Sequence, residues 1–98
     1  MGIFFGRTTG TRPYSYAADL ATKLERRGGN SSTGAAQLLG VMRYGGDPRD
    51  LCPEEAEQAA RSIGQAARKL RGVDRQIAEQ IAKDAQAAAD SGHPWRVG

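Results

Sequence analysis

The strongest constraint on this chain lies between Pro53 and Gly92, where two alanine-striped segments follow one another across a link of only two or three residues. In the first, Ala56, Ala59, Ala60, Ile63, Ala66, Ala67 and Leu70 recur at three- and four-residue steps while Arg61, Ser62, Gln65, Arg68 and Lys69 fill the other face. That period predicts an amphipathic helix over 53–71. Pro53 suits the first helical position, Glu54, Glu55 and Glu57 suit the positive end of the dipole, and Gly72 follows the last apolar residue. The second stripe, Ile77, Ala78, Ile81, Ala82, Ala85 and Ala88 or Ala89, predicts a helix over 75–90 with Asp74 as N-cap and Gly92 as stop. So short a link forces the two helices antiparallel. Alanine, with Gly64 mid-helix, lets their backbones approach closely, or else serves only as a helix former.

Shorter stripes upstream predict two more helices. One covers 15–27, with Ser15 as N-cap and Tyr16, Ala17, Leu20, Ala21 and Leu24 on one face. The other covers 34–44, capped by Ser32 or Thr33, carrying Leu38, Leu39, Val41 and Met42 and stopped by Gly45-Gly46. The stretches from Gly28 to Ser32 and from Gly45 to Cys52 read as loops, the second holding the turn signal Asp47-Pro48. The expected architecture is a mostly α, four-helix single domain over 1–98, built on a long antiparallel helical hairpin, with an extended segment at 1–14 and a C-terminal segment at 91–98.

Because the hairpin presents small side chains, the aromatic residues near the chain ends (Phe4, Phe5, Tyr14, Tyr16 and Trp95) hold much of the apolar area open to burial. Each is worth about 1.5 to 3 kcal/mol when fully buried. The ends therefore pack on the helices, and a short β pairing of Ile3–Gly6 with Trp95–Val97 is expected there, supported by the helices beneath. Trp95, fixed by Pro94, covers one end of the hairpin in this reading; the functional alternative makes it an exposed anchor for a partner.

Ninety-eight residues of 10.4 kDa allow one modest core, with a folded surface of roughly 5,400 Å². A lone cysteine, Cys52, rules out an intrachain disulfide and a multi-cysteine zinc site. It fits a reducing, cytoplasmic setting, and no run of ten apolar residues exists to carry export or to span a membrane.

Catalytic groups are few. Cys52 and His93 are single residues of their kinds; brought together they would imitate a thiol enzyme, but Glu54 and Glu55 oppose thiolate formation at Cys52. No set of metal ligands is apparent, and no catalytic residue or cofactor is expected. The run Gly28-Gly29-Asn30-Ser31-Ser32-Thr33-Gly34 invites a phosphate-loop reading, yet it has no Lys before its Ser or Thr and no predicted strand ahead of it. A plain loop and helix cap is the simpler account.

Ala35-Ala36-Gln37-Leu38-Leu39-Gly40-Val41 resembles the first helix of helix-turn-helix domains of the excisionase and mercury-regulator type, which implies DNA binding. Those families continue at once into a second helix opened by Ser or Thr. Here a loop follows, and the next helix opens on three glutamates that would repel phosphates. A second resemblance covers roughly the second half of the chain: the Pro-Glu-Glu-Ala start and the ending Ser91-Gly92-His93-Pro94-Trp95 are similar to small actinobacterial proteins of uncharacterised function. That resemblance implies a compact helical domain and no assigned activity.

The net charge of +3 is concentrated: residues 1–18 hold Arg7 and Arg12 and no acid, leaving 12 bases against 11 acids elsewhere. The expected function is a non-enzymatic interaction module for a protein partner, with self-association as a homodimer, and with Phe4, Phe5, Arg7, Arg12, Tyr44 and Trp95 as candidate contacts. The alternative is a small nucleic-acid-binding regulator using Arg43, Arg68, Lys69, Arg71 and Arg75. Its basic residues also have a plain explanation, since cations are favoured in last helical turns. No membrane partner is expected.

Overall fold

Four helices form where the apolar period demands them in the computed structural model, which describes residues 2–45 and 47–98. They are α1 (Tyr14–Arg26), α2 (Thr33–Tyr44), α3 (Pro53–Ala67) and α4 (Gly72–Ser91), and α3 and α4 make the most extensive contact, as the antiparallel hairpin predicts. Ala56, Ala59, Ala66 and Ala67 of α3 and Ala78 and Ala85 of α4 are buried with Ile63, Ile77 and Ile81. Leu20, Leu24, Leu38 and Met42 of α1 and α2 complete one apolar cluster, joined by Ile3, Phe5, Leu51, Trp95 and Val97 from outside the helices. The accessible surface of 5498 Å² is what one core of this mass should leave exposed.

Local capping differs from the sequence reading in three places. The N-cap of α1 is Pro13 rather than Ser15, and that of α4 is Arg71, because the helix starts at Gly72 and draws Asp74 inside its first turn. Helix α3 ends at Ala67, short of the expected 71, so Arg68, Lys69 and Arg71 belong to the turn of the hairpin. Ser32 caps α2 as expected, accepting from the Ala35 amide, and Gly45 and Gly92 close α2 and α4 in the left-handed conformation.

Four short strands flank the helices: β1 (Gly2–Phe4), β2 (Thr11–Pro13), β3 (Arg49–Leu51) and β4 (Trp95–Val97). The pairing expected between the chain ends is redistributed. β1 pairs antiparallel with β2, with Ile3 opposite Arg12, and β4 pairs antiparallel with β3, with Leu51 opposite Trp95. β3 lies inside the stretch read as a loop; a three-residue strand with only Leu51 buried carries too little alternation to be seen in sequence. The two ends still meet, through a reciprocal pair of backbone hydrogen bonds between Phe4 and Gly98.

Close backbone approach falls at Gly34 and not at Gly64. A Cβ at Gly64 would touch only the Ala82 methyl at 4.0 Å, whereas one at Gly34 would lie 2.0 Å from the Glu55 carbonyl oxygen of α3. Gly34→Ala therefore drives α2 off α3. A loss of about 1 to 3 kcal/mol is expected from urea unfolding, and an unchanged midpoint would mean that the two helices do not meet this closely.

Candidate interaction surfaces

The chain-end aromatics divide into core and surface. Phe5 is 1% exposed and Trp95 5%, and the Trp95 indole N–H donates to the Phe5 carbonyl oxygen at 2.7 Å. Neither can serve as an exposed contact; as a pair they tie the N-terminal segment to β4. Phe4 and Tyr14 are exposed at the edges of this region, and Tyr44, at the end of α2, is 80% exposed. Arg7 is exposed, whereas Arg12 is half-buried with its Nε shielded from solvent.

The segment from Gly6 to Gly10 is held down by an acid that the apolar stripe of α4 conceals. Asp84 is 7% exposed, and its two carboxylate oxygens accept the backbone N–H groups of Thr8 at 3.0 Å and Thr9 at 2.8 Å. Gly6 is needed there because a Cβ would lie 2.6 Å from the Asp84 carboxyl carbon. The sequence did carry a signal for this clamp: Asp84 falls on the buried stripe, three residues after Ile81. Ser62 on α3 is a second buried polar residue, bonded to Ser31 and Ser32 at 3.0 and 2.9 Å. With the Gly34 amide donating to Gln58 and the Ala35 amide to Ser32, the glycine-serine loop spends its polar groups on α3 and on the cap. This is the structural role set against the phosphate-loop reading.

Helix α1 is fastened to the start of α4 by ions. Lys23 Nζ lies 2.7 Å from Asp74 and 3.1 Å from Asp19, and the Tyr16 hydroxyl donates to Asp74 at 2.9 Å. The Lys23 hydrogen bond, against the cost of burial and aided by Tyr16, holds the Asp74 carboxyl below its ordinary range. Burial and then the Asp74 carboxylate push Tyr16 up to about 12. Tyr16 thus titrates higher in the folded chain than in the unfolded one, where about 10 applies. Its contribution is complete below pH of about 10 and is lost as the pH rises towards 12. Lys23, also raised by Asp74 first, acts in the same direction. Tyr16→Phe is expected to flatten the alkaline fall in the urea midpoint; an equally steep fall in the variant would contradict this role.

Of the alternative set, Arg43 is committed to an ion pair with Glu25 of α1, which raises its pKa. Arg75 reaches Glu79 at 3.7 Å. Arg68, Lys69 and Arg71 stand exposed at the α3–α4 turn, and among the described residues none of them has an ion-pair partner. The structure adds two residues to this group. Arg26 and Arg27, at the end of α1, line one concavity together with Lys23 and Leu70 of the turn.

Cys52 is exposed at the N-cap of α3, and its backbone N–H donates to Glu55 at 3.0 Å. That bond, ahead of any other cause, lowers the Glu55 pKa. The β3–β4 register carries His93 towards the same end, where it is exposed, but no hydrogen bond joins the two among the described residues. A groove of about 510 Å³ is lined by Ala36, Gln37, Gly40, Val41 and Tyr44 of α2 and by Asp47, Pro48 and Arg49, and a concavity of about 630 Å³ lies at the chain ends beside Phe5, Asp84 and Trp95.

Fold and surfaces together define a small, mostly α domain in which two strand pairs lock the chain ends onto a helical hairpin. The chain belongs to the family described as "Domain of unknown function (DUF7739)", whose model matches residues 5–97. No curated protein and no solved structure matches it. Among the described residues no helix is long and apolar enough to cross a membrane.

Proposed function

We propose that this domain is a non-enzymatic interaction module whose partner is a second copy of itself, docked through the outer face of α2. The observation that carries the reading is the row Ala36, Gly40 and Tyr44, spaced four residues apart, with Ala36 exposed, Gly40 half-exposed and Tyr44 80% exposed. Residues at this spacing form one ridge of a helix, and a glycine in its middle lets another helix come close. A Cβ built at Gly40 would meet nothing within 4 Å, so the chain itself does not use that space.

The row is self-complementary in only one orientation. When two copies cross antiparallel at Gly40, Tyr44 lies about 6 Å along the axis on one side and the partner's Ala36 about 6 Å along on the same side. Each ring then covers a methyl group, twice, about a two-fold axis. A parallel crossing sets ring against ring and leaves a gap between the two alanines.

Helix α2, with 12 residues, is about 18 Å long, so this contact is smaller than that of an obligate dimer and its association is reversible. Sedimentation equilibrium from about 10 μM to about 1 mM, the range of weak affinities, is expected to show a monomer–dimer equilibrium. Tyr44→Glu abolishes it without changing helix content or Tm, because Tyr44 lies outside the core. A wild-type chain that stays monomeric at about 1 mM, or dimerises equally well with Tyr44→Glu, overturns the reading.

A further inference from the structure

The end of the molecule opposite Phe5 and Trp95 is a basic pole. Helix α1 delivers Arg26 and Arg27 there, and the α3–α4 turn delivers Arg68, Lys69 and Arg71. Two contacts bring these separate stretches together. Lys23, one turn before Arg26, binds Asp74, which lies three residues after Arg71; and Leu70, between Lys69 and Arg71, shares a concavity with Arg26 and Arg27. All five cations are exposed, and among the described residues none has an ion-pair partner.

Cations in last helical turns have a structural explanation in the helix dipole, but that account treats each helix separately. It does not explain why Asp74 and Glu25, the acids beside these stretches in sequence, are held by Lys23 and Arg43. Asp74 is held by Lys23 and Tyr16 and Glu25 by Arg43, while Glu79 pairs with Arg75 at 3.7 Å and shares a concavity with Arg68. The pole keeps a surplus of positive charge on a chain whose net charge is only +3.

We infer that this pole binds the phosphodiester backbone of double-stranded nucleic acid. Four of its five cations are arginines, whose planar fork bonds phosphate oxygens in pairs. A single-stranded partner would call for aromatic stacking platforms and a bilayer for apolar side chains that enter it. The exposed rings Tyr14 and Tyr44 lie at the far end of α1, beside Gly45, and among the described residues the pole itself offers only Val73 as a large exposed apolar residue. Backbone contact without base readout follows, sequence-independent and strongly dependent on salt. Relative to the nucleic-acid alternative drawn from sequence, this pole omits Arg43 and Arg75, which are engaged by Glu25 and Glu79, and gains Arg26 and Arg27.

The test is fluorescence anisotropy of the full chain with labelled DNA and RNA duplexes of mixed sequence, alongside vesicles containing phosphatidylserine. With four or five phosphates neutralised, affinity for duplex is expected to fall about a hundredfold or more between 50 and 200 mM salt. Arg26→Ala/Arg27→Ala and Arg68→Ala/Lys69→Ala should each weaken binding at least tenfold. Arg7→Ala/Arg96→Ala, which removes the same charge from the other end of α4, should leave it within about twofold. The DNA and RNA arms decide which duplex is preferred. Absence of duplex binding at 50 mM salt, equal losses for all three double variants, or binding to vesicles as tight as to duplex overturns the inference.

Discussion

Replacing Trp95 with alanine is expected to cost about 3 to 5 kcal/mol, because the indole is buried against the helical hairpin and its truncation leaves a large cavity. The loss is compounded at the Phe5 carbonyl oxygen, which gives up the indole N–H that donates to it at 2.7 Å. Trp95→Phe keeps most of the ring contact while removing the donor, and should cost about half as much. For a domain of this size a loss of 3 kcal/mol lowers Tm by roughly 10 to 20 °C. A Trp95→Ala chain that melts with the wild type would return Trp95 to the role of an exposed anchor.

The second large effect concerns Asp84. Asp84→Ala leaves the buried amide of Thr9 and the part-buried amide of Thr8 without their acceptor beneath the N-terminal segment, at about 1 to 3 kcal/mol for the buried donor and less for the other. A loss of about 3 kcal/mol is expected overall, together with hydrogen exchange at Thr8 and Thr9 that becomes fast relative to the helices. Asp84→Asn is intermediate: its carbonyl accepts from one amide while its NH2 group faces the other. Exchange at these two amides that is unchanged in Asp84→Ala would show that the segment is held by packing alone.

How much of this was legible in sequence depended on the range of the interaction. The stripes of α3 and α4, Pro53 at the first helical position, the Ser32 cap and the stop at Gly92 are local, and periodicity and capping chemistry reveal them. Asp74 illustrates the limit. By local rules it is an N-cap, but Lys23 and Tyr16, more than fifty positions away, recruit it to a different task, and the helix begins earlier. The strand pairs fail in sequence for a related reason. Three residues do not carry a pattern, and the choice of β2 for β1 and of β3 for β4 is decided by what the helices leave uncovered. Of the chain-end aromatics Phe5 and Trp95 are buried while Phe4 and Tyr14 are exposed, a division that composition does not assign ring by ring. Adjacent Phe4 and Phe5 point to opposite sides, one exposed and one buried. The basic pole needed the fold, since Leu70 of the hairpin turn meets Arg26 and Arg27 only because α1 ends there.

The most direct test of self-docking through α2 is a mixed disulfide. In a Cys52→Ser background, which removes the only native thiol, chains carrying Ala36→Cys are mixed with chains carrying Tyr44→Cys and oxidised mildly. An antiparallel crossing at Gly40 predicts that the heterologous pair cross-links in preference to either variant with itself. Tyr44→Cys cross-linking chiefly with itself would contradict the antiparallel arrangement, and the absence of any cross-link at concentrations near 1 mM would contradict self-docking altogether.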